Sequence, residues 1–390
     1  MNLGDLCAVF KTEWQLMKST ARLAACILIC AVPFTGAAQA QTVKLNVDSS
    51  LAELILDKVC SGGEIDEDEL RALPVLQSQI KHHTGQSDTR NIEAFLTGLK
   101  AAAQCETVED DVYNFAPVVK EKEKFAAAVA FFTGKAGEIE DFVVESLTPY
   151  APDDLDFEGE LVLSIVGNPC GGFSMDGRFY LALNCLRDSY EADYMAAKVV
   201  SAHETYHAAQ YVFFHPFSEY IEQVKTVDDA LDYLFLNLLL EGTAEYVADS
   251  RKIDGEGKVS KFFQEFARKG YRNLAYNFRL VNYAADILGN DDALLRRIKD
   301  VYRMGFSGAG GQGFYYVGAA MAGHIEESYG REALVCIMGQ PPEQFVRAYQ
   351  ATALAAPGEA TPAFGKALMK AANGLSKKRE PALRYESCVS

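Results

Sequence analysis

The run His203-Glu204-Thr205-Tyr206-His207, followed 34 residues after its last histidine by Glu241-Gly242-Thr243-Ala244-Glu245, holds the side chains of this chain best suited to metal-assisted chemistry. On a helix, residues four apart share a face, so His203 and His207 can aim both imidazoles at one ion while Glu204 projects about 100° round the axis. A catalytic zinc takes three protein ligands and leaves one position for water, so the pair needs a third donor from elsewhere. Glu241 is the first candidate, with Glu245 one turn further on orienting a histidine from behind. The alternative makes Glu245 the ligand and Asp249, again four residues on, its support. Zinc in such a site lowers the pKa of bound water toward about 7 and polarises a carbonyl oxygen. Glu204 is then placed to take a proton as general base and return it to a leaving amine as general acid.

The elements that must position these groups follow from hydrophobic spacing. Tyr190 to about Phe213 reads as one helix with a small, packable surface (Ala196, Ala197, Val200, Ala208, Ala209), closed by Pro216. Val227 to about Arg251 reads as a second, whose apolar body runs into the stripe Glu241, Glu245, Asp249. Buried carboxylates at that spacing need a cation or hydrogen-bond donors. Upstream, the runs 160–166 and 179–184 are β-branched and apolar and bracket a turn-rich stretch, which predicts an antiparallel pair. From Ser49 to about Pro149 the pattern is helical, and the Pro- and Asp-rich loop at 149–156 marks a boundary. The expected fold class is α+β: mostly helical, with a small antiparallel sheet whose edge strand lines the cleft, an active-site helix beneath it and a helical C-terminal subdomain. The expected division is 1–40, 41–150 and 151–390. The glycine-rich stretch 305–313 lacks the Lys-Ser/Thr ending of a phosphate loop and is expected to form a rim over the cleft. His82, His83 and His215 have no partner pattern and read as surface residues.

Lys18 and Arg22 precede the apolar run 23–34, which ends in Ala38-Gln39-Ala40, so residues 1–40 read as a signal peptide cleaved before Gln41. The stretch 17–22 makes a charged n-region by itself, leaving Met1 and Met17 as alternative starts. The apolar run is too short for a membrane anchor. A periplasmic or secreted protein without an anchor after cleavage is therefore expected. The first 40 residues hold three basic and two acidic side chains, so of 37 basic and 54 acidic residues 34 and 52 remain, a net charge of −18. Nucleic acid is excluded as a partner by such a surface. Six cysteines remain after cleavage, an even number in a compartment that permits disulfides. Cys170 with Cys185 and Cys60 with Cys105 are the expected pairs.

The combination of H-E-x-x-H with Glu-Gly-x-Ala on the next helix resembles the gluzincin metallopeptidases, among them aminopeptidase-N-type enzymes and bacterial collagenases. More closely, residues 161–349 resemble exported bacterial zinc-dependent peptidases, through the spacing, Tyr315-Tyr-Val-Gly318 and Met321-Ala-Gly-His-Ile-Glu326. The resemblance implies a zincin-like domain over 151–390, His203, His207 and Glu241 as zinc ligands, and Glu204 as catalytic acid/base acting on a peptide or protein substrate. It also implies a tyrosine donor for the oxyanion some tens of residues past the Glu ligand, which points to Tyr315 or Tyr316, with His324 a further candidate. No Gly-x-Met-Glu-Asn segment accompanies the motif. Gln210 and Phe213 stand where a metzincin has its Gly and third His. Peptide deformylases add an upstream cysteine ligand, but the sequence around Cys170 does not match theirs. The rival from another class is an inactive, zinc-stabilised binding protein, and hydrolysis of a non-peptide substrate would use the same residues.

Overall fold

A computed structural model describes residues 41–389 apart from 168–169, 214–223, 290–293, 360 and 381–382; the expected signal peptide, His215 and Pro216 fall outside these. The chain from Gln41 onward forms one compact unit. Helices dominate it, and a four-stranded sheet in the order β1-β2-β4-β3 supplies the β part, which bears out the α+β expectation. The strands are β1 (Thr42–Asp48), β2 (Asp156–Ser164), β3 (Gly172–Met175) and β4 (Arg178–Ala182).

The sheet is mixed rather than antiparallel. β1 and β4 both run parallel to β2, and β3 alone opposes its neighbour, β4. The antiparallel pairing expected between 160–166 and 179–184 is corrected for a local reason. Asp176 and Gly177 sit at φ 51° and 78°, the two left-handed positions of a hairpin turn whose twist matches that of its strands. The chain therefore reverses between Met175 and Arg178, and β4 takes β3 as its antiparallel partner and β2 on its other side. This leaves β3 as an edge strand. β1 departs from the purely helical N-terminal region: Val43, Leu45 and Val47 alternate with polar residues, and the strand pairs with β2 from Thr42↔Asp156 to Asp48↔Val162. The segment before residue 150 is thus built into the same sheet as the segment after it.

Six helices frame the site: α1 (Ala136–Leu147), α2 (Tyr194–Phe213), α3 (Val227–Ala248), α4 (Lys258–Arg272), α5 (Leu294–Gly305) and α6 (Gly313–Tyr329). α2 packs against all of β2, β3 and β4 on one side and against α1 and α3 on others, which is why it is lined with Ala196, Ala197, Ala202, Ala208 and Ala209 and shows little amphipathic contrast. α3 opens with a capping box in which Thr226 and Asp229 satisfy each other's backbone N–H groups. It crosses α6 at Gly242 and Gly318, where a Cβ on Gly242 would stand 2.3 Å from the Cα of Gly318. Only glycine on both helices allows backbones to touch in this way. The glycine-rich stretch expected as a rim is the turn joining α5 to α6, with a 3₁₀ turn over Gly308–Gly310.

Both expected disulfides, Cys60–Cys105 and Cys170–Cys185, are present, and Cys336–Cys388 is a third. Three bridges are compatible with an exported protein. Among the described residues no helix is long and apolar enough to cross a membrane. His83 corrects the surface assignment: it is fully buried, and His82 stacks on Phe173 of β3 at 3.8 Å.

Candidate metal centre

His203 and His207 lie one turn apart on α2, on the side facing α3, and Glu241 of α3 meets them there. The two imidazole Nε2 atoms are 3.2 Å apart, and Glu241 Oε2 lies 3.4 Å from that of His203 and 3.1 Å from that of His207. Three donors on bonds of about 2.0–2.1 Å at tetrahedral angles would stand about 3.3 Å from one another, so the spacing fits a zinc ion without rearrangement. Two imidazoles and one carboxylate are also a donor set that catalytic zinc uses. Among the described residues this is the one group of three or more His, Cys, Asp or Glu side chains close enough to hold a metal. Water is largely excluded: the side chains of His203, His207 and Glu241 are 14, 14 and 17% exposed.

A second set of residues fixes this geometry. Thr243 donates its hydroxyl to the Leu239 carbonyl at 2.7 Å and so accepts, at the same distance, from the amide nitrogen of Gln210. That orientation turns Gln210 Oε1 toward His207, whose Nδ1 donates to it over 2.8 Å. With its proton held at Nδ1, His207 presents the lone pair of Nε2 to a metal. Gln210 also donates to the Leu240 carbonyl at 3.3 Å, tying α2 to α3 next to Glu241. Sequence reasoning missed this role. The signal was the i, i+3 spacing from His207 to Gln210 on α2, which places both on one face.

The charges respond as a coupled set. Burial works against the charged form of His207, but Glu241 outweighs it and lifts the pKa to about 9 in the metal-free protein. Burial likewise opposes ionised Glu241, yet the two histidines hold it well below the usual carboxylate range. The site is therefore a proton-bearing ion pair until a cation displaces the proton.

Around this core the expected residues divide. Glu204, on the turn that carries His203, sits beside β3, where the Ser174 hydroxyl donates to its carbonyl oxygen over 3.4 Å. Tyr315, at the start of α6, lies parallel to the His203 imidazole at 5.8 Å. Burial first, then the neighbouring Glu241 carboxylate, holds its hydroxyl well above the ordinary tyrosine pKa, so it keeps its proton and can donate. Tyr302 of α5, which sequence reasoning did not single out, also approaches: burial, then Glu241 and Glu204, raise its pKa. Tyr316 turns the other way, against Tyr271 at 5.0 Å. Glu245 is buried next to it and receives the Ser250 hydroxyl at 2.5 Å and backbone N–H at 3.3 Å, so its hydrogen bonds go to Ser250 rather than to a histidine. Asp249 caps the end of α3 and pairs with Arg251 at 2.7 Å. His324 packs edge-on against Tyr349 at 5.9 Å. Cys170 is bonded to Cys185 and offers no thiolate.

Residues 68–357, well over half of the chain, match the model of a family described as "Putative zinc dependent peptidase (DUF5700)". The match takes in most of the helical region before residue 150. The comparisons with curated proteins and with solved structures each found no match.

Proposed function

The chain belongs to the family DUF5700, and from that premise we propose that it is an exported, gluzincin-type zinc peptidase in which His203, His207 and Glu241 hold the metal and Glu204 is the general acid/base. The observation that carries this is the mutual spacing of 3.1–3.4 Å among three partly buried donors contributed by two helices. Zinc held there would supply Lewis-acid polarisation of the scissile carbonyl and an activated water. Glu204 takes the proton released on attack and delivers it to the leaving amine. The protonated Tyr315 hydroxyl donates to the oxyanion. An extended peptide adds to the outer edge of β3, the last strand of the sheet among the described residues, whose Ser174 already touches the turn bearing Glu204.

A peptide-library digest with and without a chelator, combined with metal analysis, tests the proposal. Glu204→Gln is expected to retain zinc while turnover falls at least about 100-fold. Turnover by that variant at the wild-type rate would overturn the assigned role.

A further inference from the structure

A mostly apolar cavity of about 540 Å³ lies along α2, walled by Ala196 and Val200 of α2, Leu181 of β4, and Phe262 and Phe263 of α4, with the Cys170–Cys185 bridge also in its lining. Its position relative to the metal centre follows from helix geometry. Ala196, Val200, His203 and His207 are spaced by four, three and four residues and fall within about 60° of one another on the helix wheel, so the cavity and the two imidazoles share one stripe of α2. Val200 precedes His203 by about 4.5 Å along the axis, and Ala196 by about 10 Å.

β3 gives the same separation independently. Gly171, immediately before the strand, lines the cavity, and Ser174 touches Glu204. Three residues of extended chain span about 10 Å. Edge strand and helix therefore run side by side from the cavity to the catalytic end, and a peptide lying on that edge passes over both.

We infer that this cavity is a specificity pocket for a bulky apolar side chain, Leu or Phe in size, of a residue one to three positions from the scissile bond; the inference rests on the peptidase reading of the metal centre. Asp188 and Lys258 are the charged residues on a wall that is otherwise mostly apolar, and Phe262 is 52% exposed.

Two variants change the pocket from α4, away from the metal ligands. Val259→Trp fills it from a partly buried position, and Phe262→Ala removes an exposed wall residue whose loss the fold tolerates. The ligand series is a fluorescent decapeptide with Leu, Phe or Ala scanned through the three positions on either side of one central bond. Binding is measured to zinc-loaded Glu204→Gln protein, and turnover to the protein with Glu204 intact. Leu or Phe at one position is expected to bind about 10-fold or more tighter than Ala, and Val259→Trp and Phe262→Ala are expected to bring that ratio below about 3 with zinc content unchanged. A Leu/Ala ratio that is flat at every position, or that both variants leave intact, overturns the pocket. Apolar-dependent binding without turnover by intact protein would instead sustain the pocket and contradict the peptidase reading, so the two fail separately.

Discussion

Glu241 and Glu245 sit one turn apart on the same helix and live in opposite electrostatic worlds. Glu241 faces two imidazoles and is held ionised against its burial; Glu245 faces Ser250 and Tyr316, and burial raises its pKa to about 7. Tyr315 and Tyr316 on α6 repeat the division, the first over His203 and Glu241, the second over the Glu245 side. The Gly242–Gly318 crossing is what brings the two helices close enough for each tyrosine to reach its glutamate. Spacing of four along a helix thus says which residues share a face, but the partner helix decides which of them carries charge.

The sharpest way to break the comparison is to remove one hydroxyl at a time. Tyr315→Phe is expected to lower kcat about 100-fold, the cost typical of losing one oxyanion donor. Tyr316→Phe is expected to leave kcat within about 3-fold, and steady-state kinetics on a single cleaved peptide distinguishes the two. Equal losses would place the donor elsewhere, with Tyr302 the next to test.

A smaller effect is expected at the support of His207. Gln210→Leu removes the acceptor for Nδ1–H and leaves Thr243 without its donor. Zinc affinity, measured by competition with a chromophoric chelator, should fall about 10- to 100-fold. Unchanged affinity would mean that the tautomer is fixed without it.

On the other side, Glu245→Gln is expected to stabilise metal-free protein. The folded state keeps the Glu245 proton up to about 7, whereas the unfolded chain loses it near 4.5. Between those values the folded state binds more protons, so stability declines as pH rises through that window and the deficit persists above it. A glutamine that keeps the Ser250 hydrogen bond removes the decline. Urea unfolding should show a gain of about 2 kcal/mol at pH 8 and almost none at pH 4. A loss at pH 8 would show that the carboxylate is needed for the fold.

Much of the site was legible because helical spacing is a local property. His203, Glu204 and His207 could be placed from the period of α2 alone, that of α3 put Glu241 and Glu245 on one stripe as alternative ligands, and the segments bracketing Cys170 and Cys185 suggested that pair. What escaped depended on long-range pairing. β1 has a clear alternation, but its parallel partner lies more than 100 residues away. The β3–β4 hairpin was signalled by Asp176-Gly177, yet β3 has four residues and reads as part of a loop. Gln210 served in the sequence only to exclude a metzincin, standing where that pattern has its Gly. Its positive role required Thr243, which reaches it across two helices. His83 looked solvated for want of a partner in sequence, and tertiary packing buried it.

The central claim is that Glu241, and not Glu245, completes the metal site with His203 and His207. Zinc stoichiometry of dialysed mature protein and its alanine variants tests this most directly. One zinc per chain is expected in the unaltered protein and in Glu245→Ala, and none in Glu241→Ala. Zinc retained by Glu241→Ala but lost from Glu245→Ala would contradict the account.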